Sequence, residues 1–318
     1  MVMKRISVGI DIGGTNTALG LVDVDGNVLA QDSVKTCADV NDEVKTIADT
    51  ISKLLQSIEP VEVVGIGIGA PNGNYYSGCI EGAANLHWKG KVELVKLMRQ
   101  YIDVPTFLTN DANAAAIGEM VYGAAKGMKD FIVITLGTGL GSGIVVNGRL
   151  LYGHDGFAGE LGHVNAIRNG RICGCGRRGC VETYVSATGV VRTATELLSE
   201  SMEPSELRSI PNSELTSLAV TQAANRGDSI AKQVFERTGE ILGRALADAI
   251  AFSSPQAIFL FGGLAGAGDL LFEPTRRSLD ENVLSIFKGK AKILPSGLKS
   301  NAAILGASAL VWGELNQN

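Results

Sequence analysis

The feature that most restricts the fold is a near-repeat of one pattern: a strand, a glycine-rich turn, a second strand and a hairpin turn. The first copy covers residues 6–29 and the second covers residues 131–150. The turn threonine precedes the hairpin glycine by eleven residues in the first copy (Thr15–Gly26) and by ten in the second (Thr138–Gly148). This spacing predicts two similar α/β halves with a cleft between them.

Hydrophobic periodicity supplies the remaining elements, and most of them are helices. A strand that alternates like a buried one covers residues 61–70 and stops at a Pro-Asn-Gly turn, and another covers 106–109. A further strand at 257–261 runs into a glycine pair. The predicted helices cover residues 41–58, 92–101, 111 to about 125, 189–199, 213–225, 229–252 and 301–315.

Charge and composition exclude several classes of partner. The net charge is −5, and no run of lysine and arginine exceeds two residues, so nucleic acid and anionic membrane surfaces are not expected to bind. The basic N-terminus reaches Asp11 too soon for the apolar region of a signal peptide. We therefore expect a cytoplasmic protein.

Glycine-rich turns at strand ends are candidates for binding phosphate. In the first copy, the turn contains Asp11, Gly13, Gly14 and Thr15; backbone amides and the threonine hydroxyl could face phosphate oxygens, and the aspartate could hold Mg²⁺. The second turn, at residues 136–143, is neither a P-loop nor a dinucleotide fingerprint, because it lacks Gly-Lys-Ser/Thr and is followed by a strand. An ordinary hairpin turn is the alternative for the first.

Asn110 and Asp111 stand where a strand ends and the alanine-rich helix begins. Local sequence favours a plain helix N-cap. The position between the two halves favours a functional carboxylate, which could accept the proton of an attacking hydroxyl in phosphoryl transfer. Both interpretations remain open at this point.

One histidine and three cysteines form the most specific motif. His163, Cys173, Cys175 and Cys180 have the spacing H-x₉-C-x-C-x₄-C, which predicts a closed tetrahedral Zn²⁺ site of structural type. A redox-sensitive cluster or an iron site is the alternative. Glu160 and Glu182 flank the ligands, so a metal here would fix both carboxylates in space.

The chain resembles the ROK sugar kinases, in the actin-like ATPase superfamily. The resemblance implies two actin-like (ribonuclease H-like) α/β domains: a smaller one from residues 1–111 plus about 301–318, and a larger one from 112–300 that contains the zinc-binding segment 163–180. It also implies a homodimer or homotetramer. The matching motifs are Asp11-Ile12-Gly13-Gly14-Thr15, Ala70-Pro71-x-Gly73, Asn110-Asp111-Ala112-Asn113, Leu136-Gly137-Thr138-Gly139-Leu140-Gly141, Gly159-Glu160-x-Gly162-His163 and Cys173-Gly174-Cys175-Gly176-x-x-Gly179-Cys180-x-Glu182.

The same resemblance implies ATP-dependent phosphorylation of the 6-hydroxyl of a hexose, with glucose favoured and Asp111 as the base. Mg²⁺ would accompany ATP. His163 would touch zinc through one ring nitrogen and the sugar through the other. The implied sugar-binding residues are Gly73, Asn110, Asp111, Glu160, His163 and Glu182. The implied nucleotide-binding residues are Asp11, Gly13, Gly14, Thr15, Thr138, Gly139, Gly262 and Gly263.

Three alternatives stay open. The acceptor could instead be N-acetylglucosamine, N-acetylmannosamine, mannose, fructose or allose. A transcriptional repressor is disfavoured, because repressors of the family carry a DNA-binding domain before the first glycine motif and only ten residues precede Asp11 here. A non-catalytic sugar sensor is disfavoured by the intact Asp111. Many relatives have lysine where this chain has Asn16, which leaves the phosphate donor open.

Overall fold

A computed structural model describes residues 3–83, 85–298 and 301–315 of the chain. Contacts divide the protein into two compact units. Unit 1 consists of Met1–Lys129, Gly143–Gly159 and Ser296–Asn318, and unit 2 consists of Asp130–Ser142 and Glu160–Pro295. Each unit is therefore built from separate stretches of sequence.

The described elements include both strands and α-helices, mixed along the chain. The strands are β1 (Lys4–Ile12), β2 (Asn16–Asp23), β3 (Val28–Lys35), β4 (Val61–Gly69), β5 (Gly73–Asn74), β6 (Cys79–Glu81), β7 (Lys91–Val92), β8 (Thr106–Thr109), β9 (Phe131–Leu136), β10 (Leu140–Val146), β11 (Arg149–Leu150), β12 (Ala257–Phe261) and β13 (Lys292–Pro295). The α-helices are α1 (Val40–Gln56), α2 (Leu94–Arg99), α3 (Asp111–Val121), α4 (Ala187–Glu200), α5 (Ser217–Asn225), α6 (Ser229–Ser253), α7 (Asp269–Asn282) and α8 (Ala302–Leu315).

Two five-stranded sheets share one strand order, which confirms the predicted repeat and the mixed α/β fold. The first sheet is ordered β3-β2-β1-β4-β8, and the second is ordered β11-β10-β9-β12-β13. In the first, β1 is antiparallel to β2 and parallel to β4, which is itself parallel to β8. In the second, β12 is parallel to both β9 and β13. Parallel neighbours bring their carboxyl ends to one edge of a sheet, where loops can form a site.

Helix α8 packs directly against the first sheet because two strand residues there are glycines. A Cβ atom at Gly9 of β1 would lie 2.1 Å from the carbonyl oxygen of Ile304, and one at Gly67 of β4 would lie 1.9 Å from that of Ala307. Neither distance is compatible with a side chain, so any larger residue would push the helix off the sheet. The opposite face of the sheet buries an aliphatic core that includes Ile47 of α1.

Three predicted helices have different limits in the structure. The helix expected at 92–101 is only α2, and the alanine-rich helix ends at Val121 instead of about residue 125. Helix α5 begins at Ser217 instead of residue 213, since the hydroxyl of Thr216 caps it by accepting a 3.1 Å hydrogen bond from the amide of Ala219. The sequence also did not predict the small antiparallel sheet β5-β6-β7.

The contact division and the predicted domain boundary assign residues 112–129 and 143–159 differently. The contacts assign both stretches to unit 1. Close packing of α3 on α8 explains the first, because a Cβ at Gly118 would lie 2.9 Å from the Cα of Gly306. Within the described part of the chain, none of the helices combines the length and the apolar character that crossing a membrane requires.

Candidate functional site

The first glycine turn joins β1 to β2 at the carboxyl edge of the first sheet. It is closed by a 3.0 Å hydrogen bond from the amide of Gly13 to the carbonyl of Asn16. Gly14 lies against another segment, since a Cβ at this position would lie 2.4 Å from the carbonyl oxygen of Asn85. Thr15 is exposed. The turn therefore has one face packed on protein and one face open to solvent.

Two carboxylates lie at the same edge because they stand at the carboxyl ends of β1 and β8, the two strands that flank β4 and run parallel to it. Asp11 is near the end of β1, and Asp111 follows β8. Gly69, at the end of β4, keeps the space between them open: a Cβ there would lie 3.9 Å from Asp11 Oδ1 and 3.8 Å from the Cα of Asp111. A side chain at position 69 would enter that space.

Both carboxyls resist ionisation. Burial, and then the negative charge of Asp111, raise the pKa of Asp11 from an ordinary 3.8 to about 6. Burial also raises the pKa of Asp111, against hydrogen bonds from backbone amides that lower it. Water nevertheless reaches the side chain of Asp111, which is exposed. Surrounding protein can disfavour the charged form of a carboxyl that solvent still contacts.

Asn110 is the N-cap of α3, so the structural interpretation of this residue is right. Its side-chain oxygen accepts a 2.6 Å hydrogen bond from the amide of Asn113. The amide NH₂ of Asn110 is a separate donor and is not consumed by the cap. Gly73 lies beside the same strand end, because a Cβ there would lie 2.4 Å from the carbonyl oxygen of Thr109. Gly73 thus has no room for a side chain.

The second glycine turn lies between β9 and β10, at the carboxyl edge of the second sheet. It is closed by a 3.0 Å hydrogen bond from the amide of Gly137 to the carbonyl of Gly139, and its Thr138 is exposed. Gly262 follows the neighbouring strand β12 with φ of 103°, a conformation that favours glycine. A Cβ there would lie 2.6 Å from the carbonyl oxygen of Leu136. Gly263 begins a short 3₁₀ helix at the same edge.

Four side chains of unit 2 converge as a group that could hold a metal ion. The ligand atoms of His163, Cys173, Cys175 and Cys180 all lie within 4.8 Å of one another. The Sγ atoms of Cys175 and Cys180 are 3.7 Å apart, and Cys173 Sγ is 3.6 Å from His163 Nδ1. Tetrahedral zinc with Zn–S bonds of about 2.3 Å separates its ligand atoms by roughly 3.6–3.8 Å, so this donor set fits Zn²⁺.

The two carboxylates beside this cluster have different surroundings. Glu160 Oε2 is 3.8 Å from His163 Nε2, the ring nitrogen opposite the one that faces Cys173. Glu182 is half-buried, and its Oε2 accepts a 3.0 Å hydrogen bond from the amide of Leu140 in the second glycine turn. The sequence did not indicate this link between Glu182 and the turn.

Arg171 is a residue that sequence reasoning missed. Its guanidinium donates to the carbonyl of Thr183 at 2.7 Å and to Glu196, and it stacks over the ring of Tyr184 with 4.4 Å between Cζ and the ring centroid. These contacts tie the cysteine segment to the start of α4. Nothing in the sequence around this arginine, which lies among glycines and cysteines, indicates that it has these partners.

The predicted site residues fall into two groups, one in each unit. Unit 1 holds Asp11, Gly13, Gly14, Thr15, Gly73, Asn110 and Asp111. Unit 2 holds Thr138, Gly139, Glu160, His163, Cys173, Cys175, Cys180, Glu182, Gly262 and Gly263. Together with the repeated sheet order, these groups define an actin-like α/β protein with one glycine turn in each sheet and a Cys₃His cluster.

Comparison with known proteins identifies the family. A model of the ROK family matches residues 7–314, so this chain belongs to the ROK family. The glucokinase of Halalkalibacterium halodurans is 35% identical over an alignment of 319 positions that covers 98% of this chain and 96% of that protein.

A second glucokinase and a repressor are also similar to this chain. A ROK family glucokinase from Streptomyces griseus, solved in complex with glucose and AMPPNP, has a TM-score of 0.82 and 31% identity, covering 96% of this chain and 98% of that one. The xylose repressor of Caldicellulosiruptor bescii is 28% identical over 313 residues, which are 97% of this chain and 78% of that protein.

Proposed function

We propose that this protein transfers the γ-phosphoryl group of ATP to the 6-hydroxyl of a hexose, with glucose as the favoured acceptor. The observation that carries the proposal is Asp111, a carboxyl of raised pKa on the first turn of α3, at the sheet edge that also holds the first glycine turn. Membership of the ROK family and similarity to glucokinases support it.

In this proposal, Asp111 is the general base. It accepts the proton of the sugar hydroxyl as that oxygen attacks the γ-phosphorus, and the bond to the β-phosphate oxygen breaks. A base works best when its pKa approaches the working pH, so the raised pKa of Asp111 suits the role. The side-chain NH₂ of Asn110 and the backbone at Gly73 would bind other atoms of the sugar.

Asp11 is the proposed ligand for the Mg²⁺ that accompanies ATP. The pair formed by Asp11 and Asp111 fits a divalent cation, because a positive charge would offset the repulsion that raises the pKa of Asp11. The cation would neutralise charge on the transferred phosphate. Gly13, Gly14 and Thr15 would contact phosphate oxygens through backbone amides and the threonine hydroxyl.

The residues of unit 2 complete the proposal. Glu160 and Glu182 would accept hydrogen bonds from sugar hydroxyls, and Nε2 of His163 would accept or donate one. Zinc on Nδ1 of His163 would fix the ring so that Nε2 faces away from the metal. With all four ligand positions filled, this zinc would be structural. Thr138 and Gly139 would contact phosphates, and Gly262 and Gly263 would border the nucleoside.

An acceptor screen tests the function. The purified protein is assayed with Mg·ATP and each of glucose, mannose, fructose, allose, N-acetylglucosamine and N-acetylmannosamine, and kcat/KM is compared. We expect glucose to rank first and Asp111→Asn to lower turnover by roughly 10²–10⁴-fold. A higher kcat/KM for an N-acetylhexosamine would make that sugar the acceptor in place of glucose. No turnover above the ATPase background with any sugar would refute the proposed kinase activity.

Similarity to the xylose repressor favours a sugar-responsive regulator as the second candidate. Its test is a gel shift with duplex DNA at low and high salt, with and without sugar. Sugar-dependent DNA binding without phosphorylation would favour the regulator.

A further inference from the structure

A buried carboxylate without a part in the proposed mechanism lies behind the first glycine turn. Glu43 is in the first turn of α1, and its side chain is fully buried. Glu43 Oε1 accepts a 2.5 Å hydrogen bond from Thr17 Oγ1, and Glu43 Oε2 accepts a 2.6 Å hydrogen bond from the amide of Cys37. A buried carboxylate is costly unless it is hydrogen-bonded, so these bonds account for its presence.

Glu43 also holds the segment that contacts the turn, because Cys37, whose amide donates to it, directly follows Thr36. Each threonine hydroxyl has one hydrogen, which Thr17 donates to Glu43 and Thr36 donates to the turn, so the 3.1 Å between Thr17 Oγ1 and Thr36 Oγ1 is a packing contact. Thr36 Oγ1 donates a 2.7 Å hydrogen bond to the carbonyl of Gly13, and the amide of Thr36 donates a 3.0 Å hydrogen bond to the carbonyl of Thr15. Thr36 therefore donates hydrogen bonds to the carbonyls of the residues on both sides of Gly14.

Fixing the carbonyl of Gly13 also fixes an amide. In a trans peptide, the C=O and the following N–H point in opposite directions. The bond from Thr36 to the carbonyl of Gly13 therefore directs the amide of Gly14 away from Thr36. Orienting such an amide before a ligand arrives removes the cost of ordering it during binding.

We propose that Thr36, Thr17 and Glu43 are positioning residues that orient the amide of Gly14 for a nucleotide phosphate. The inference rests on the proposed function, because it assumes that phosphate binds at this turn. None of the three touches the reacting atoms in the proposal; they act through the backbone of the turn.

Substitutions that differ only in the hydroxyl test the network. Thr36→Val keeps the shape of the side chain and removes the donor to Gly13, whereas Thr36→Ser keeps the hydroxyl. Thr17→Val and Thr17→Ser repeat the comparison one step further from the turn. Thr50→Val is the matched control, since the hydroxyl of this buried α1 residue donates only to the helix carbonyl of Thr46, at 2.7 Å.

The readout is KM for Mg·ATP at saturating hexose, KM for hexose at saturating ATP, and the melting temperature of each variant. We expect Thr36→Val to raise KM for ATP about tenfold, the effect of leaving one half-buried carbonyl unpaired, with KM for hexose unchanged. Thr17→Val should give a smaller rise, both serine variants should restore the wild-type value to within about twofold, and Thr50→Val should not change it.

The outcomes separate this inference from the proposed function. If the wild type phosphorylates hexoses but Thr36→Val leaves KM for ATP unchanged while lowering the melting temperature, the network is only structural and the inference is overturned. If both KM values rise together, the specific link to the phosphate turn is overturned. A wild type that neither binds ATP nor phosphorylates a hexose would overturn the proposed function, and the inference with it.

Discussion

Replacing Asp11 with asparagine should stabilise the protein at neutral pH while it removes kinase activity. Burial and the nearby charge of Asp111 raise the pKa of Asp11 to about 6. A carboxyl whose pKa is higher in the folded state than in the unfolded state opposes folding once it ionises. The cost is absent below pH 3.8, the ordinary value, grows between pH 3.8 and 6, and is complete above pH 6.

The size of this cost follows from the two pKa values. They differ by about two pH units, which corresponds to about 3 kcal/mol of unfolding free energy. Asp11 is only half-buried, and solvent screening reduces the figure to about 1–2 kcal/mol. For a chain of this size, such a change raises the melting temperature by about 2–4 °C. Asparagine has nearly the same shape and carries no charge, so it should recover this energy.

The assay is thermal unfolding of wild type and Asp11→Asn at pH 7.5 and pH 5, in a chelator and without nucleotide. We expect the variant to be more stable at pH 7.5 and the difference to shrink at pH 5. Asp23→Asn is the matched control on the next strand. Burial raises the pKa of Asp23, but hydrogen bonds from Lys4 and Asn27 outweigh it and hold the pKa below its usual value.

The control should respond with the opposite sign. Asp23 contributes stability at every pH above 3.8, so Asp23→Asn should destabilise the protein at both pH values. If Asp11→Asn is no more stable than wild type at pH 7.5, or if its effect is equal at the two pH values, the ionised form of Asp11 is not disfavoured. The electrostatic argument for a cation beside Asp111 would then be refuted.

Three further predictions concern other parts of the molecule. Asp111→Asn should lower kcat by roughly 10²–10⁴-fold, and wild-type kcat/KM should fall as the pH decreases toward a pKa above the ordinary 3.8, because burial raises the pKa of this proposed base; steady-state kinetics measure both. Metal analysis should find about one zinc per chain and much less in Cys175→Ser, whereas zinc-free wild type would refute the tetrahedral site. Glu119→Ala should lower unfolding free energy by about 2–3 kcal/mol, since this buried carboxylate accepts hydrogen bonds from the amides of Ala124 and Gly297 and from Ser296 Oγ; a loss below about 0.5 kcal/mol in urea unfolding would contradict that role.

Sequence reasoning succeeded where the determining contacts are local. The cysteine ligands lie within eight residues of one another, so their spacing alone indicates a shared metal. The strand, turn and strand of each copy depend on alternation and on glycines at fixed offsets, and the two sheets have the expected common order. Such features need no knowledge of how distant segments pack.

The features that sequence reasoning missed depend on long-range packing. Gly9 and Gly67 are visible as strand glycines, but only the structure shows that α8 lies on them. Glu43 looks like a solvated residue in the first turn of a helix, yet it is fully buried behind a turn more than 25 residues earlier in the chain. The hydrogen bonds of Arg171 likewise reach residues that follow the whole cysteine motif.

Local sequence could not decide between a helix cap and a catalytic residue at Asn110 and Asp111, because the cap formed by Asn110 supports the proposed role of Asp111. The side-chain oxygen of Asn110 caps the amide of Asn113, which makes Asp111 the first residue of α3. A helix N-terminus favours the charged form of a carboxyl, and the amide of Ala112 donates to Asp111 Oδ1 at 2.8 Å. These amides lower the pKa of Asp111 while burial, the larger effect, raises it. The cap thus limits the rise in pKa that the surrounding protein causes at Asp111, which suits its proposed role as a base at neutral pH.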